Sequence, residues 1–246
     1  MALVTPVKRA PWWQWALVSL GVSVLVAVLT VVSIIALALR GVDLTDYLFL
    51  SRPPYLTDGA SAAWIGLLLV LQPAGPALGA LLFGPARAVV CQRLRPPQDA
   101  AGLCLRLAAG GALVLGMQAL WARVGPQPPE PFRLIDHLVY AVQGGGQLWP
   151  KVWLVTAVGV AGPVAEEIAF RGLLFGLCRR KWGFRAGALA SALLFGLAHG
   201  WASAVPAGVM GLYLAYQAER DGTLLGAMVL HMLNNIGALV ALSAIK

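Results

Sequence analysis

The sequence predicts an all-α fold, a polytopic transmembrane helical bundle of about seven spans, with six to eight as the range that roughly 20 residues per span allows. Three observations predict it. Of 246 residues, 59% are hydrophobic and 11% charged, and the mean hydropathy is +0.78. A single soluble core of this size cannot hide so much apolar surface, whereas lipid can solvate it. The apolar residues come in long continuous runs without the ten-residue alternation of a membrane β-barrel. The charges fall in short clusters between those runs.

Taken in order, the runs are Trp12–Leu39, Ala60–Phe83, Ala101–Trp121, Trp149–Leu177, Ala186–Trp201, Ser203–Gln217 and Thr223–Ile245. The first follows Lys8 and Arg9 as a secretory signal would, but it far exceeds the ~7–15 apolar residues of such a signal and reads as a retained helix. The second and third carry almost no internal polar chemistry. After them, Gly125–Gly146 contains QPPEP and GGG and reads as a loop, with a short interfacial helix at Leu134–Val142. This loop divides the chain into an N-terminal set of helices, residues 1–148, and a core, residues 149–246, that holds the polar motifs. The fifth and sixth runs are short and read as a helical hairpin that need not cross fully. Trp12, Trp13, Trp15, Trp149 and Trp182 stand near run ends, where indoles favour the headgroup level. No internal repeat is evident.

The net charge of +8 raises nucleic acid as a partner, but no basic face survives the division into loops, so nucleic acid is excluded. Lys8 and Arg9, then Arg87, Arg93 and Arg95, then Arg179, Arg180, Lys181 and Arg185 occupy alternate connections. That bias places the N-terminus in the cytoplasm, and the Ala-, Gly- and Leu-rich composition suits a bacterial inner membrane. Cys91, Cys104 and Cys178 form no CxxC pair and read as small apolar packing residues between helices.

Of ten acidic residues, only Glu166 and Glu167 fall within a run, and of three histidines only His199 and His231 do, His137 lying in the loop. An ionisable group at mid-span costs roughly 2.5–3.5 kcal/mol on insertion scales, so such groups are functional by default. Glu167 and Arg171 are four apart, the acid first, as a helical ion pair prefers. Glu166 lies ~100° around the helix from Glu167. Two readings stand: both carboxylates share Arg171 and hold helices together, or Glu167 and Arg171 set the helix and Glu166 is a working base. Counted at ~1.5 Å per residue, Glu166, His199, His231 and Asn235 lie about 15–21 Å from charged loops of one side. His231 and Asn235 share a helix face. One feature resists, since Trp201 marks an interface close to His199. The pairs Gly172/Gly176, Gly183/Gly187 and Gly196/Gly200 have small-xxx-small spacing for close helix approach.

At these residues the chain resembles the CAAX protease and bacteriocin-processing family of intramembrane proteases, which includes the type II prenyl endopeptidases. EExxxR stands as Glu166-Glu167-Ile168-Ala169-Phe170-Arg171, FxxxH as Phe195-Gly196-Leu197-Ala198-His199, and HxxxN as His231-Met232-Leu233-Asn234-Asn235. Each motif alone is weak, but the three in order on three runs are specific, and they cover about the last hundred residues. The resemblance implies an endopeptidase acting on a peptide or membrane-tethered protein, prenylated or bacteriocin-like, with lipid as its surroundings. It implies Glu166 and His199 on the attacking water, His231 and Asn235 at the oxyanion, and Glu167 and Arg171 in support. The cofactor is either none or one divalent metal such as zinc, held by Glu166, His199 and His231; the absence of HExxH tilts the balance to a metal-free glutamate mechanism. A non-catalytic immunity or scaffolding protein is the alternative, and a proton-coupled transporter a weaker one, since no symmetry of halves is found.

Overall fold

The computed structural model describes residues 12–41, 75–97, 99–126 and 148–244, and every regular element among them is a helix. The helices are α1 (Trp12–Leu39), α2 (Gly75–Leu82), α3 (Gly84–Gln92), α4 (Ala100–Val124) and α5 (Leu148–Thr156), then α6 (Gly162–Glu167), α7 (Phe175–Ala198), α8 (Ala204–Asp221) and α9 (Leu225–Ala244). Two π-helical stretches, Ala157–Ala161 and Ile168–Leu174, join α5 to α6 and α6 to α7. Among the described residues two helices, over Ala16–Leu39 and Ala100–Val124, are long and apolar enough to cross a membrane, fewer than the seven spans expected. Residues 60–74 of the expected second span, the expected helix at Leu134–Val142, and His137 lie outside the described residues.

Helix α1 packs on α2 through a stripe of small residues. Ser19 and Thr30 are buried, and a Cβ on Gly79 would come within 2.6 Å of the Ser19 backbone. The hydroxyls of Ser23 and Thr30 donate to Ser19 O and Val26 O, each at 2.9 Å, so neither is stranded in an apolar setting. Phe83 adopts an extended backbone (φ −90°, ψ 107°) and parts α2 from α3.

Helix α4 starts at Asp99, whose side chain accepts the Gly102 N–H at 2.8 Å. That bond, with Arg106 beside it, holds the Asp99 carboxyl below its ordinary range. Most of α4 faces outward, Leu105 being 73% exposed, while Gly110 and Val114 are buried on one stripe that continues to Gln118 and Trp121. The stripe packs on α8 and α9.

The expected break between the fourth and fifth spans falls at Gly183, whose φ of 80° belongs to the left-handed region that only glycine adopts freely. Helices α7 and α8 form the expected hairpin, turning through Gly200 (φ 78°), with Ser203 N donating to Gly200 O at 3.1 Å. At the hairpin's tight end Gly196 sits against Ala204 O, and Gly211 meets Ala192. Not every glycine pair packs as its spacing suggests: Gly176, Gly183 and Gly200 have no atom near a notional Cβ, whereas Gly187 faces the Arg179 backbone at 2.7 Å. Gly183 and Gly200 are there for the turns.

Phe195, Met210, Leu214 and Leu224 are centred between α7, α8 and α9. At one end of the bundle the chain after α3 is tied to the α8–α9 connection. Leu224 N donates to Arg93 O at 2.8 Å, and the Thr223 hydroxyl to Arg95 O at 2.6 Å. Arg179 pairs with Glu219 at the same end. The basic connections around Arg93 and Arg179 therefore meet on one side of the bundle. Of the cysteines, only Cys178 is buried; Cys91 and Cys104 lie on exposed faces of α3 and α4, which corrects the expectation that all three pack between helices.

Candidate active site

Three elements deliver the ionisable residues to one place. Glu166 and Glu167 end α6, His199 caps the C-terminus of α7, and His231 lies in the second turn of α9. Glu166 Oε2 stands 3.7 Å from His199 Nε2 and 3.8 Å from His231 Nε2. Both separations exceed a direct hydrogen bond. This oxygen is buried and has no hydrogen-bond partner among the described residues.

The partners of the two imidazoles set their tautomers. His199 Nδ1 lies 2.8 Å from Phe195 O, and a carbonyl can only accept, so Nδ1 carries the hydrogen. His231 Nδ1 lies 3.0 Å from Glu167 Oε1, the same oxygen that accepts from Arg171, so here too the ring nitrogen is the donor. Each ring therefore presents its Nε2 to Glu166. His199 thus folds back onto the last turn of α7, two residues before the exposed Trp201.

Glu167 is fully buried and shared. Arg171 Nη1 donates to its Oε1 at 2.8 Å, as the four-residue spacing predicts, and the same oxygen receives His231. Arg171 is also fully buried, with Nη2 donating to Gly211 O at 3.2 Å. Its guanidinium lies 4.2 Å from the centre of the Phe195 ring, a desolvated cation–π contact. Phe195 touches both histidines as well, at 4.4 Å and 5.6 Å between ring centres. The first residue of FxxxH is thus the apolar platform on which the charged groups rest.

Asn235 stands to one side of this cluster. Its Nδ2 donates to Val158 O at 3.0 Å, and the reason lies in the first π stretch. There Gly162 N donates five residues back, to Ala157 O. The next bond of that series would join residue 163 to Val158, but Pro163 has no N–H. Asn235 supplies the missing donor.

The structure adds residues that sequence reasoning did not single out. Gln118 of α4 donates to Asn234 Oδ1 at 3.0 Å, and Asn234 Nδ2 donates to Asn235 Oδ1 at 3.2 Å. The N-terminal helices therefore do reach the polar core. Arg93, expected to be a loop charge, donates to Arg171 O at 2.8 Å and Ala218 O at 3.0 Å. Arg171 O lies in the second π stretch, where the ladder shifts to five-residue bonds such as Phe175 N to Phe170 O. For Gln118 the only signal was an amide within an apolar run; for Arg93 there was none.

One carboxylate and two imidazoles are chemically suited to zinc, and the hydrogen bonds on both Nδ1 atoms are those that metal-binding histidines make. The spacing is less suitable. Tetrahedral zinc with bonds of about 2.0–2.1 Å brings donors to about 3.3–3.4 Å of one another, shorter than the 3.7 and 3.8 Å found. Among the described residues no three His, Cys, Asp or Glu side chains are placed to hold a metal ion.

Against known protein families, residues 147–237 match the one described as type II CAAX prenyl endopeptidase Rce1-like. The match covers 91 of the 246 residues. It spans all three motifs, runs from the start of α5 into α9, and excludes α1 to α4. The likeness is to a family of prenyl endopeptidases and is confined to this segment. No curated protein and no solved structure matches the chain.

Proposed function

We propose that the protein is an intramembrane endopeptidase that hydrolyses a peptide bond of a membrane-associated substrate by a glutamate-activated water. The observation that carries this reading is the buried, unbonded Glu166 Oε2 facing two Nε2 atoms at 3.7 and 3.8 Å. A water held between Glu166 and His199 meets one carboxylate oxygen and one imidazole lone pair. Glu166 takes a proton from it as the water oxygen bonds to the scissile carbonyl carbon. The carbonyl oxygen gains the negative charge.

Two donors are available to that oxyanion. His231, when protonated, keeps its Nδ1–H on Glu167 and presents its Nε2–H inward. Asn235 uses one amide hydrogen on Val158 O and retains a second. Donors fixed in a water-poor setting act more strongly than in bulk water. The C–N bond then breaks as Glu166 returns its proton to the leaving nitrogen. Glu167 and Arg171 hold this arrangement as an ion pair that does not itself react.

The family description supports a prenylated CAAX peptide as the first substrate to try. On this reading the bundle crosses about seven times, and its basic end faces the cytoplasm of a bacterial inner membrane. The test uses purified protein in detergent and an internally quenched, farnesylated CAAX peptide. Glu166→Gln and His199→Ala are expected to lose cleavage by about a hundredfold or more while keeping the wild-type unfolding midpoint. Full activity in either variant would falsify the assignment, and a wild-type protein that binds the peptide without cutting it would favour a binding-only scaffold.

A further inference from the structure

We infer that Gln118 and Trp121, one turn apart on α4 and outside the Rce1-like segment, are positioning residues that hold the Asn235 and His199 sides of the site in register. The inference rests on the hydrolytic reading for its kinetic part only.

A directional chain of amides links Val158 O to Gln118. Val158 O can only accept, so Asn235 must turn Nδ2 toward it and Oδ1 away. That Oδ1 needs a donor, which Asn234 Nδ2 provides, and Asn234 Oδ1 in turn needs one, which Gln118 Nε2 provides. The orientation of every amide therefore follows from the backbone carbonyl outward, with no flip left free. Gln118 terminates the chain. Without its N–H, the Asn234 acceptor is unpaired in a part-buried setting, and nothing outside α9 fixes its side chain.

Trp121 Nε1 donates to Ala202 O at 2.6 Å, within the turn that follows His199 directly. His199 is the C-cap of α7, where helical bonds run out, so its placement depends on how that turn is held. Gln118 and Trp121 lie on the inward stripe of a helix that otherwise faces outward. A single turn of α4 thus grips both the residue beside Asn235 and the residues after His199.

The test exploits a feature of the composition: Asn234 and Asn235 are the only asparagines in the chain. Protein labelled with ¹⁵N at asparagine shows two side-chain amide pairs and no others of that type. Gln118→Met keeps the volume and removes the donor. It is expected to shift the Asn235 pair as well as the Asn234 pair, whereas a purely local contact would move Asn234 alone. On the farnesylated peptide it should lower kcat about tenfold or more with KM within about twofold. In an Asn235→Ala background it should cause no further loss, because the two substitutions break one linkage.

An unmoved Asn235 pair, or an undiminished kcat effect in the Asn235→Ala background, overturns the inference. If Glu166→Gln cuts the peptide as wild type does, the hydrolytic assignment is what fails, and the asparagine signals still decide the positioning. Should Gln118→Met not fold, Trp121→Phe takes its place, removing one N–H and keeping a ring. It is expected to speed amide hydrogen exchange in residues 199–203 about tenfold while α9 stays protected. Unchanged exchange there overturns the claim.

Discussion

Arg171 shows how much a single buried cation asks of its surroundings. It is fully buried, and its Nη1 and Nη2 donate to Glu167 and Gly211 O while its face rests on Phe195. Removing it leaves Glu167 as a buried carboxylate whose one remaining polar partner is His231. Arg171→Leu is expected to destabilise the folded protein by about 3–5 kcal/mol, the usual cost of stranding half of a buried ion pair. Denaturation by a graded detergent series measures it, and a loss below about 1 kcal/mol would show the pair to be solvated. The pair itself was legible from a four-residue spacing and the order of its signs. The carbonyls and rings that complete it were not, because they come from α7, α8 and the chain after α3. Spacing along one helix carries information about that helix alone. Glu167 is the instructive case, since the pattern marked it as a partner of Arg171 and gave no hint that His231 shares the same oxygen.

At the scale of elements, the continuous apolar runs were enough to read all-α structure, and charge clusters located the interruptions at Gly183 and after α3. The helical periodicity assumed along Trp149–Leu177 was too regular. Two π stretches alter the ladder on either side of the glutamates, and only Pro163 offered a chemical clue to the first. Packing between helices was partly legible. Gly196 meets the Ala204 carbonyl, backbone to backbone, so any side chain there must push α8 away. Gly196→Val is therefore expected to cost about 1–3 kcal/mol through overpacking and to reduce cleavage with it, since His199 follows three residues later. Gly176→Ala is the matched control. Nothing lies near its notional Cβ, and within helix α7 the exchange should be neutral or stabilising by up to about 1 kcal/mol. Equal effects from both would show that α7 and α8 do not touch as closely as described.

For the whole molecule, the depth of the site follows from helix lengths and one hydrogen bond. The 25 residues of α4 extend about 37 Å at ~1.5 Å each, enough to cross a hydrocarbon layer of ~30 Å. Its start carries the basic end through Arg106 and Asp221, paired at 2.7 Å. Its last turns carry Trp121, which bonds the Ala202 carbonyl. The α7–α8 turn is therefore held beside the far end of α4, even though the stretch from Arg185 to Ala198 is only about 21 Å long. With α4 crossing the membrane, that turn is expected near the far interface. A hairpin that stopped at mid-membrane would put that turn beside the middle of α4. The two arrangements separate in a labelling experiment on protein whose three native cysteines are replaced by alanine. Lys181→Cys and Ser203→Cys, in sealed vesicles of one orientation, are expected to react with a membrane-impermeant maleimide from opposite sides. Reaction of both from the same side would sink the crossing, as would a Ser203→Cys that reacts from neither side but does so once the vesicles are dissolved. The expected result also places His199, a few residues from that turn, within reach of water from the side opposite the basic end. A substrate would then present its scissile bond close to that interface, where an extended peptide can leave the lipid without stranding its backbone groups.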